Sequence, residues 1–293
     1  MTSHRLTGYL LLALAMMTVG STVIASKLMA GSLPPFLATA LRLAIALPVL
    51  LGLAALRRER LPALTHREKA LLVLQAAAGS VGYTAFLVAG MAHLPAADAG
   101  VVIGTLPAVA ALFSALVLGE RPGPRLALSA LLATGGVAVV AWSGRAALAS
   151  PGVLLVLAAV VCESAFILLH KRMARPLSPL AQATAMTGLG LLVALPFAAF
   201  ELPGTALPPL SALGAAVWYA LVPTVGGFLL WYAGAARVSG SEAAAFTAVA
   251  PLTAVALAAG LLGEPFGFRQ ALGALAVLAA ILVLTLPRRA MPG

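Results

Sequence analysis

Between Leu6 and Leu286 the chain is a succession of apolar blocks, each about 18–23 residues long and separated by short polar or proline-bearing segments. A helix rising ~1.5 Å per residue needs about 20 apolar residues to cross a hydrocarbon core of ~30 Å. Lipid offers no partners to backbone N–H and C=O groups, so such blocks cross as helices, which satisfy their own backbone. The apolar runs are continuous, unlike the alternating strands of roughly ten residues in a membrane barrel. The expected spans are Leu6–Leu28, Pro35–Leu56, Glu68–Met91, Ala96–Leu118 and Leu126–Trp142, then Pro151–His170, Leu180–Phe200, Leu210–Ala235, Glu242–Leu262 and Ala271–Leu286. Composition agrees, because only 9% of the 293 residues are charged, against about a quarter in a soluble domain. The first block, Leu6 to Ala25, also has the outline of a cleavable secretory signal. A matching block deep in the chain, and a second apolar block directly after the first, favour a retained span.

A net charge of +10 would suit a nucleic-acid partner, but the basic residues stand between apolar blocks on alternate loops, and no nucleic-acid contact is expected. With the amino terminus in the cytoplasm, that side holds Arg5, Arg57, Arg58, Arg60, Arg67, Lys69, Arg121, Arg125, Lys171, Arg172, Arg175, Arg237, Arg288 and Arg289. The opposite side holds Lys27, Arg145 and Arg269, and Arg42 lies within a span. The positive-inside rule then expects both termini in the cytoplasm of a bacterial cell, an inner (plasma) membrane location and an even number of spans. The solitary Cys162 excludes an internal disulfide and a cysteine-based zinc site. No cofactor and no metal are expected.

Shifted by 144 residues, the sequence aligns with itself. Leu118-Gly119-Glu120 falls on Leu262-Gly263-Glu264, Pro107 on Pro251, Asp98 on Glu242, Lys27 on Lys171 and Gly8 on Gly152. The expected units are residues 1–146 and 147–293, each with five spans. An odd number of spans turns the second unit upside down, and inverted repeats are typical of secondary transporters that bind substrate between their halves. The fold class expected is therefore all-α integral membrane, with ten transmembrane helices in two inverted five-helix repeats around a central cavity.

The repeated Leu-Gly-Glu segments with their upstream prolines, Pro107 and Pro251, and the Ala40-Leu41-Arg42-Leu43 segment of the second span resemble the drug/metabolite transporter superfamily in its EamA-like ten-helix branch. That resemblance spans essentially the whole chain. It implies a monomeric basket of ten helices and export of small metabolites, amino acids foremost, by alternating access. The second copy carries Met186 where the first has Arg42, so that element is not duplicated.

Glu163, near the middle of the sixth span, is the first candidate for substrate binding and proton coupling. A carboxylate there costs several kcal/mol unless it faces water or a partner; it reads either as a proton or ammonium site or as a structural carboxylate. Arg42 reads as the ligand of a substrate carboxylate, as the partner of Glu163, or as a side chain snorkelling to the outer interface. Ser80, Tyr83, Thr84 and Leu87 share a face of the third span, and the repeat maps them to Thr224, Gly227, Phe228 and Trp231. Ser80, Tyr83, Thr84, Phe228 and Trp231 are expected in a cavity wall, where hydroxyls and rings suit a mixed polar and apolar ligand. Thr22 is expected beside them, although span hydroxyls also bond back to their own helix. Pro107 and Pro251 are expected hinges, since an interior proline removes a backbone bond. His170 reads as an interfacial residue or a proton shuttle; Asp98 and Glu242 read as charges at helix starts, and Glu120 and Glu264 as contacts to the following turn.

The function expected is secondary transport, most simply export of aromatic or other neutral amino acids, with the lipid bilayer and a small-molecule substrate as partners. A sugar-phosphate or lipid-carrier transporter is the alternative, weakened by Arg42 being the one clearly intramembrane cation. An enzyme is not expected, because the chain has no His-Glu-x-x-His, no Gly-x-Ser-x-Gly and no phosphate-cradling glycine loop.

Overall fold

The computed structural model describes residues 3–59, 64–106, 108–110, 112–113, 123–141, 150–173, 177–238, 246–247, 249–265 and 267–285, and among them every regular element is helical. In chain order these are α1 (Ser3–Met29), α2 (Pro35–Leu56), α3 (His66–Met91), α4 (Ala96–Ile103), α5 (Pro124–Ala141), α6 (Pro151–Lys171), α7 (Pro179–Glu201), α8 (Leu210–Ala235), α9 (Val249–Leu262) and α10 (Phe268–Thr285). Among the described residues six helices, α1, α2, α3, α6, α7 and α8, are long and apolar enough to cross a membrane. Large apolar side chains point outward, Leu10, Leu131 and Leu192 among them, whereas Arg42, Gln75, Thr84 and Gln182 are buried. That is the reverse of a water-soluble globule and suits a hydrocarbon surround.

Helix starts follow local chemistry. Pro35, Pro151 and Pro179 occupy first turns, where a missing N–H is not needed. The Ser150 and Ser178 hydroxyls accept from the Val153 and Ala181 N–H groups, and Thr65 with Glu68 forms a reciprocal capping box at α3. At the other end of α3, Lys27 Nζ donates to Met91 O and Leu94 O, both at 2.9 Å, placing a cation on exposed carbonyls.

The Leu262-Gly263-Glu264 segment has a structural task. Gly263 ends α9 at φ +63°, a conformation that disfavours any side chain. Glu264 then reaches α4, accepting from the Ala96 and Ala97 N–H groups at 3.0 and 2.9 Å. The N-cap of α4 is Pro95, which offers no side-chain bond, so Glu264 serves as its cap. This corrects the expected contact to the following turn: the acceptor caps another helix. Asp98 is in the first turn of α4 as expected, yet it is buried and takes a hydrogen bond from Gln270 Nε2 at 3.1 Å. Glu264→Ala is expected to cost about 1–2 kcal/mol, as a lost N-cap does, read as a lower Tm in detergent, with Glu264→Gln closer to wild type. Glu120, Glu242 and the Leu118-Gly119-Glu120 copy lie outside the described residues.

Two expected spans are interrupted. α4 stops at Ile103, and Gly104 and Thr105 form a turn before helix resumes at Leu106. Pro107 lies outside the described residues. Pro251 is buried in the first turn of α9, where a proline costs least; among the described residues it is not in the middle of one long helix from Glu242. It packs against Gly104, where an added Cβ would come within 3.2 Å of Pro251 Cβ.

α3 and α8 also depart from the uniform helices expected. α3 passes from α-helix (His66–Gln75) through a π-helical segment (Ala76–Gly82) to α-helix again (Tyr83–Met91), and α8 does the same around Ala220–Gly227. The two wide segments begin 144 residues apart, at Ala76 and Ala220. In α8 the cause is legible: Pro223 has no N–H for the Tyr219 carbonyl, and the Thr224 hydroxyl donates to it instead at 2.9 Å.

Helix pairs carry the packing. α2 and α7 run antiparallel, with the Leu37 N–H on Glu201 Oε2 at one end and the Ser178 hydroxyl on Glu59 Oε1 at the other. α5 and α10 do likewise, with the Ser129 hydroxyl on Ala280 O and Gly136 against Gly273 O. Gly8 of α1 meets Gly234 of α8, and Gly90 of α3 meets Gly152 of α6. Each of these glycine contacts maps onto the other when both residues are moved by 144.

Candidate functional site

α1, α2, α3, α4, α6, α8 and α9 line a cavity of about 130 Å3. Six of the expected residues line it: Thr22, Arg42, Tyr83, Glu163, Phe228 and Trp231. Ser80 and Thr84 do not; they stand behind the wall and hold Arg42. Small residues keep the wall thin. A Cβ on Gly79 would lie 2.8 Å from the Phe166 ring, one on Gly82 2.8 Å from Cys162 Sγ, and one on Gly227 2.6 Å from Thr18 Oγ1.

Arg42 organises the site. Its guanidinium donates to Thr224 Oγ1 at 2.7 Å, and to Ser80 O and Thr84 Oγ1 at 2.6 Å each. Its Cζ lies 4.6 Å from the centre of the Tyr219 ring, a cation–π distance. One side chain of α2 thereby ties the π-helical stretch of α3 to that of α8. Arg42 is only 3% exposed, which overturns the snorkelling reading: three acceptors on two neighbouring helices hold the side chain inward. Nor does it pair with Glu163, because its donors go to neutral oxygens. Arg42 Nε has no partner.

The cavity wall thus carries a guanidinium and a carboxyl group that are not bonded to each other, with Tyr83, Tyr219, Phe166, Phe228 and Trp231 among the remaining lining. Such a surface presents a cation to an anionic head group, a carboxylate to a cationic one, and rings to an apolar tail. Thr22 lines the cavity and also donates back to Val19 O at 2.7 Å, so both readings of its hydroxyl hold. Thr18 and Ser21 bond back to their own helix, and the Trp218 indole donates to Ser21 Oγ at 3.1 Å from a half-exposed position. His170 stands at the Lys171 end of α6, partly buried, with its ring beside those of Phe166 and Tyr232.

Sequence reasoning missed Tyr219, Phe166, Met16 and Thr247 as lining residues. Thr224 carried a signal, being the copy of Ser80 at the 144-residue shift. Tyr219, like Trp218 and Tyr232, was open between cavity wall and interfacial anchor from sequence, since its role depends on Arg42 from another helix. Among the described residues no group of three or more His, Cys, Asp or Glu side chains is arranged to hold a metal ion. Trp231→Ala is expected to weaken binding of a ligand held in this cavity about tenfold, the scale of one lost ring contact, with folded yield unchanged. Tyr83→Ala is expected to behave similarly in the same binding measurement.

Comparison with known proteins identifies the family. The model of the EamA-like transporter family matches residues 6–142 and again residues 150–286. The chain is 33% identical over 288 residues to a Bacillus subtilis protein described as an uncharacterized transporter, YetK, covering 96% of this chain and 87% of the relative. It is 29% identical over 220 residues to a probable terminal-alkyne amino-acid exporter of Streptantibioticus cattleyicolor, covering 75% of this chain and 72% of that protein. A solved crystal structure shares the fold at a TM-score of 0.66 and 24% identity, covering 97% of this chain and 96% of the other. The family and the names of these relatives point to transport rather than enzymatic chemistry. With its apolar helices and this twofold match, the chain is a multi-pass membrane protein that belongs to the EamA-like transporter family.

Proposed function

We propose that this transporter exports neutral amino acids with aromatic or other apolar side chains by alternating access, coupled to protons through Glu163. The observation that carries the reading is the cavity itself, with Arg42 and Glu163 on its wall, not hydrogen-bonded to each other, and aromatic rings in the same lining. An α-amino acid presents a carboxylate, an ammonium and an apolar side chain, one for each feature of that wall. Thr22, Tyr83, Phe228 and Trp231 complete the substrate site, while Ser80 and Thr84 act on it through Arg42. The relative described as a terminal-alkyne amino-acid exporter supports the substrate class. A heavily phosphorylated substrate fits poorly, because Arg42 is the one cationic side chain among the described lining residues.

The halves, residues 1–146 and 147–293, cross the membrane in opposite senses, giving ten spans and both termini in the cytoplasm of a bacterial inner membrane. The exchange of contact partners supports this: Gly8 with Gly234 and Gly90 with Gly152, and Ser129 with Ala280 and Gly136 with Gly273, each become the other under a 144-residue shift. Two-fold related halves around one pocket suit a rocking transporter. Pro107 and Pro251, with Gly104 against Pro251, are the hinge positions of that motion. The transporter acts as a monomer and needs no cofactor.

The test is uptake of a panel of radiolabelled amino acids and phosphorylated metabolites into liposomes of the purified protein, with and without a pH gradient. Phenylalanine- and leucine-like substrates are expected to accumulate and to drive exchange of one another. Uptake of sugar phosphates with no amino-acid uptake would replace the reading with its alternative.

A further inference from the structure

One part of the cavity lining is aromatic. Phe166 of α6 and Phe228 of α8 both line it and pack with Ala76 and Met186. One helical turn further on come His170 and Tyr232, with ring centres 5.7 Å apart. His170 lies 6.3 Å from Phe166 and Tyr232 lies 6.1 Å from Phe228, so two ring layers stack along the pair of helices. Beside the second layer are Gln75 of α3 and Gln182 of α7, both buried and joined by Gln182 Nε2 donating to Gln75 Oε1 at 3.2 Å.

This cluster is polar beyond its own bonding. Gln75 Nε2 and His170 Nδ1 are buried without a partner, and the Tyr232 hydroxyl lies beside Gln182 without closing a bond to it. Buried polar atoms are rarely left alone, and where several face one another in a protein interior, water meets them. The location gives a second line of support. Gln75 is the last residue before the π-helical stretch of α3, as Tyr219 is in α8, and the two are 144 residues apart. Tyr219 stands against the Arg42 guanidinium, whereas the counterpart of Arg42 is Met186. The second copy of the Arg42 site therefore keeps polar walls without the cation that fills the first.

We propose that Gln75, His170, Gln182 and Tyr232 enclose a hydrated chamber beneath Phe166 and Phe228, and that its water relays protons between Glu163 and the Lys171-Arg172 end of α6. The relay half of this proposal rests on the proton-coupled reading of Glu163. In each transfer one O–H bond breaks on a donor and one forms on the next oxygen, ending on the Glu163 carboxylate, and no oxidant or reductant takes part. The charged and titratable groups on the surrounding helices are Cys162, Glu163, Lys171 and Arg172 on α6 and its end, His66, Arg67, Glu68, Lys69 and Tyr83 on α3, Tyr219 on α8 with Arg237 after it, Arg42 on α2, and Glu59, which accepts from Ser178 at the start of α7; α7 itself carries Glu201 at its far end. Glu68 is committed to the Thr65 cap. Among the described residues of α3, α6, α7 and α8, Glu163 is thus the carboxyl group that stands in the middle of its helix, whereas Glu68 and Glu201 stand at helix ends.

Two measurements on the full chain separate the halves of the proposal. Hydroxyl-radical footprinting in lipid nanodiscs reads water directly: Tyr232 is expected to be oxidised readily in the wild type and about fivefold more slowly in the Gln75→Leu, Gln182→Leu double variant, which removes the amide groups that hold water there. Equal rates in the two proteins, or a wild-type Tyr232 that resists oxidation, would overturn the hydrated chamber. In proteoliposomes, His170→Phe and the milder Tyr232→Phe are expected to lower gradient-driven phenylalanine uptake about tenfold while leaving exchange at equal pH within about twofold, since exchange needs no net proton transfer. Uptake and exchange falling together, or neither changing, would overturn the relay. A wild type indifferent to the pH gradient would overturn both the coupling reading and the relay, and the footprint would still decide the chamber.

Discussion

Arg42→Ala is expected to abolish amino-acid uptake and to lower the stability of the folded protein by about 3–5 kcal/mol. The stability loss follows from what the guanidinium leaves behind: Thr224 Oγ1, Ser80 O and Thr84 Oγ1 all lose a donor in a buried setting. Each unmet buried group costs about 1–3 kcal/mol, and partial repair between Thr84 and Tyr219, already 3.4 Å apart, reduces the sum. The loss of uptake follows from the charge, because Arg42 is the only cation among the described lining residues for a substrate carboxylate. Arg42→Lys separates the two effects. An ammonium keeps the charge but is a point donor, unable to span acceptors on α3 and α8 as a planar fork does. Arg42→Lys is expected to recover much of the Tm and under a tenth of the uptake. Wild-type KM in Arg42→Lys would show that the guanidinium has no part in binding.

Glu163→Gln is expected to remove the dependence of uptake on the pH gradient. Glutamine matches the shape of the carboxyl group and can neither bind nor release a proton, so substrate exchange at equal pH survives while a gradient no longer drives accumulation. In the wild type, vesicles more acidic inside than outside are expected to accumulate the amino acid, the sign of proton efflux exchanged for substrate entry. The effect on the gradient-driven rate is expected to be at least tenfold, the scale of a lost proton-transfer group. A full, unaltered pH profile in Glu163→Gln would remove this residue from coupling. Exchange lost together with accumulation would make Glu163 an ammonium ligand alone.

The boundaries of α2 and α8 were legible because a proline or a polar break flanks an unbroken apolar run; Pro35–Leu56 and Leu210–Ala235 match the expected spans at both ends. The cavity residues were legible for a related reason. Polar and aromatic side chains inside an apolar block turn away from lipid, and Thr22, Arg42, Tyr83, Glu163, Phe228 and Trp231 converge on one space. The π-helical stretches were not legible, since hydropathy has no access to how many residues a backbone ring encloses. Arg42 left two directions open because snorkelling or burial depends on acceptors supplied by other helices, 38 to 182 residues away in sequence. Glu264 was misread for the same reason: the helix it caps begins 168 residues earlier.

The central claim is that one cavity between the two halves opens to each side of the membrane in turn and holds the amino acid as it does so. A single cysteine at position 228, made as Phe228→Cys in a Cys162→Ala background and reconstituted in one orientation, tests it with a membrane-impermeant thiol reagent. The account predicts labelling from either face at comparable extents, and protection from both faces by a transported amino acid. Labelling confined to one face under all conditions, or labelling that substrate leaves untouched, would contradict it.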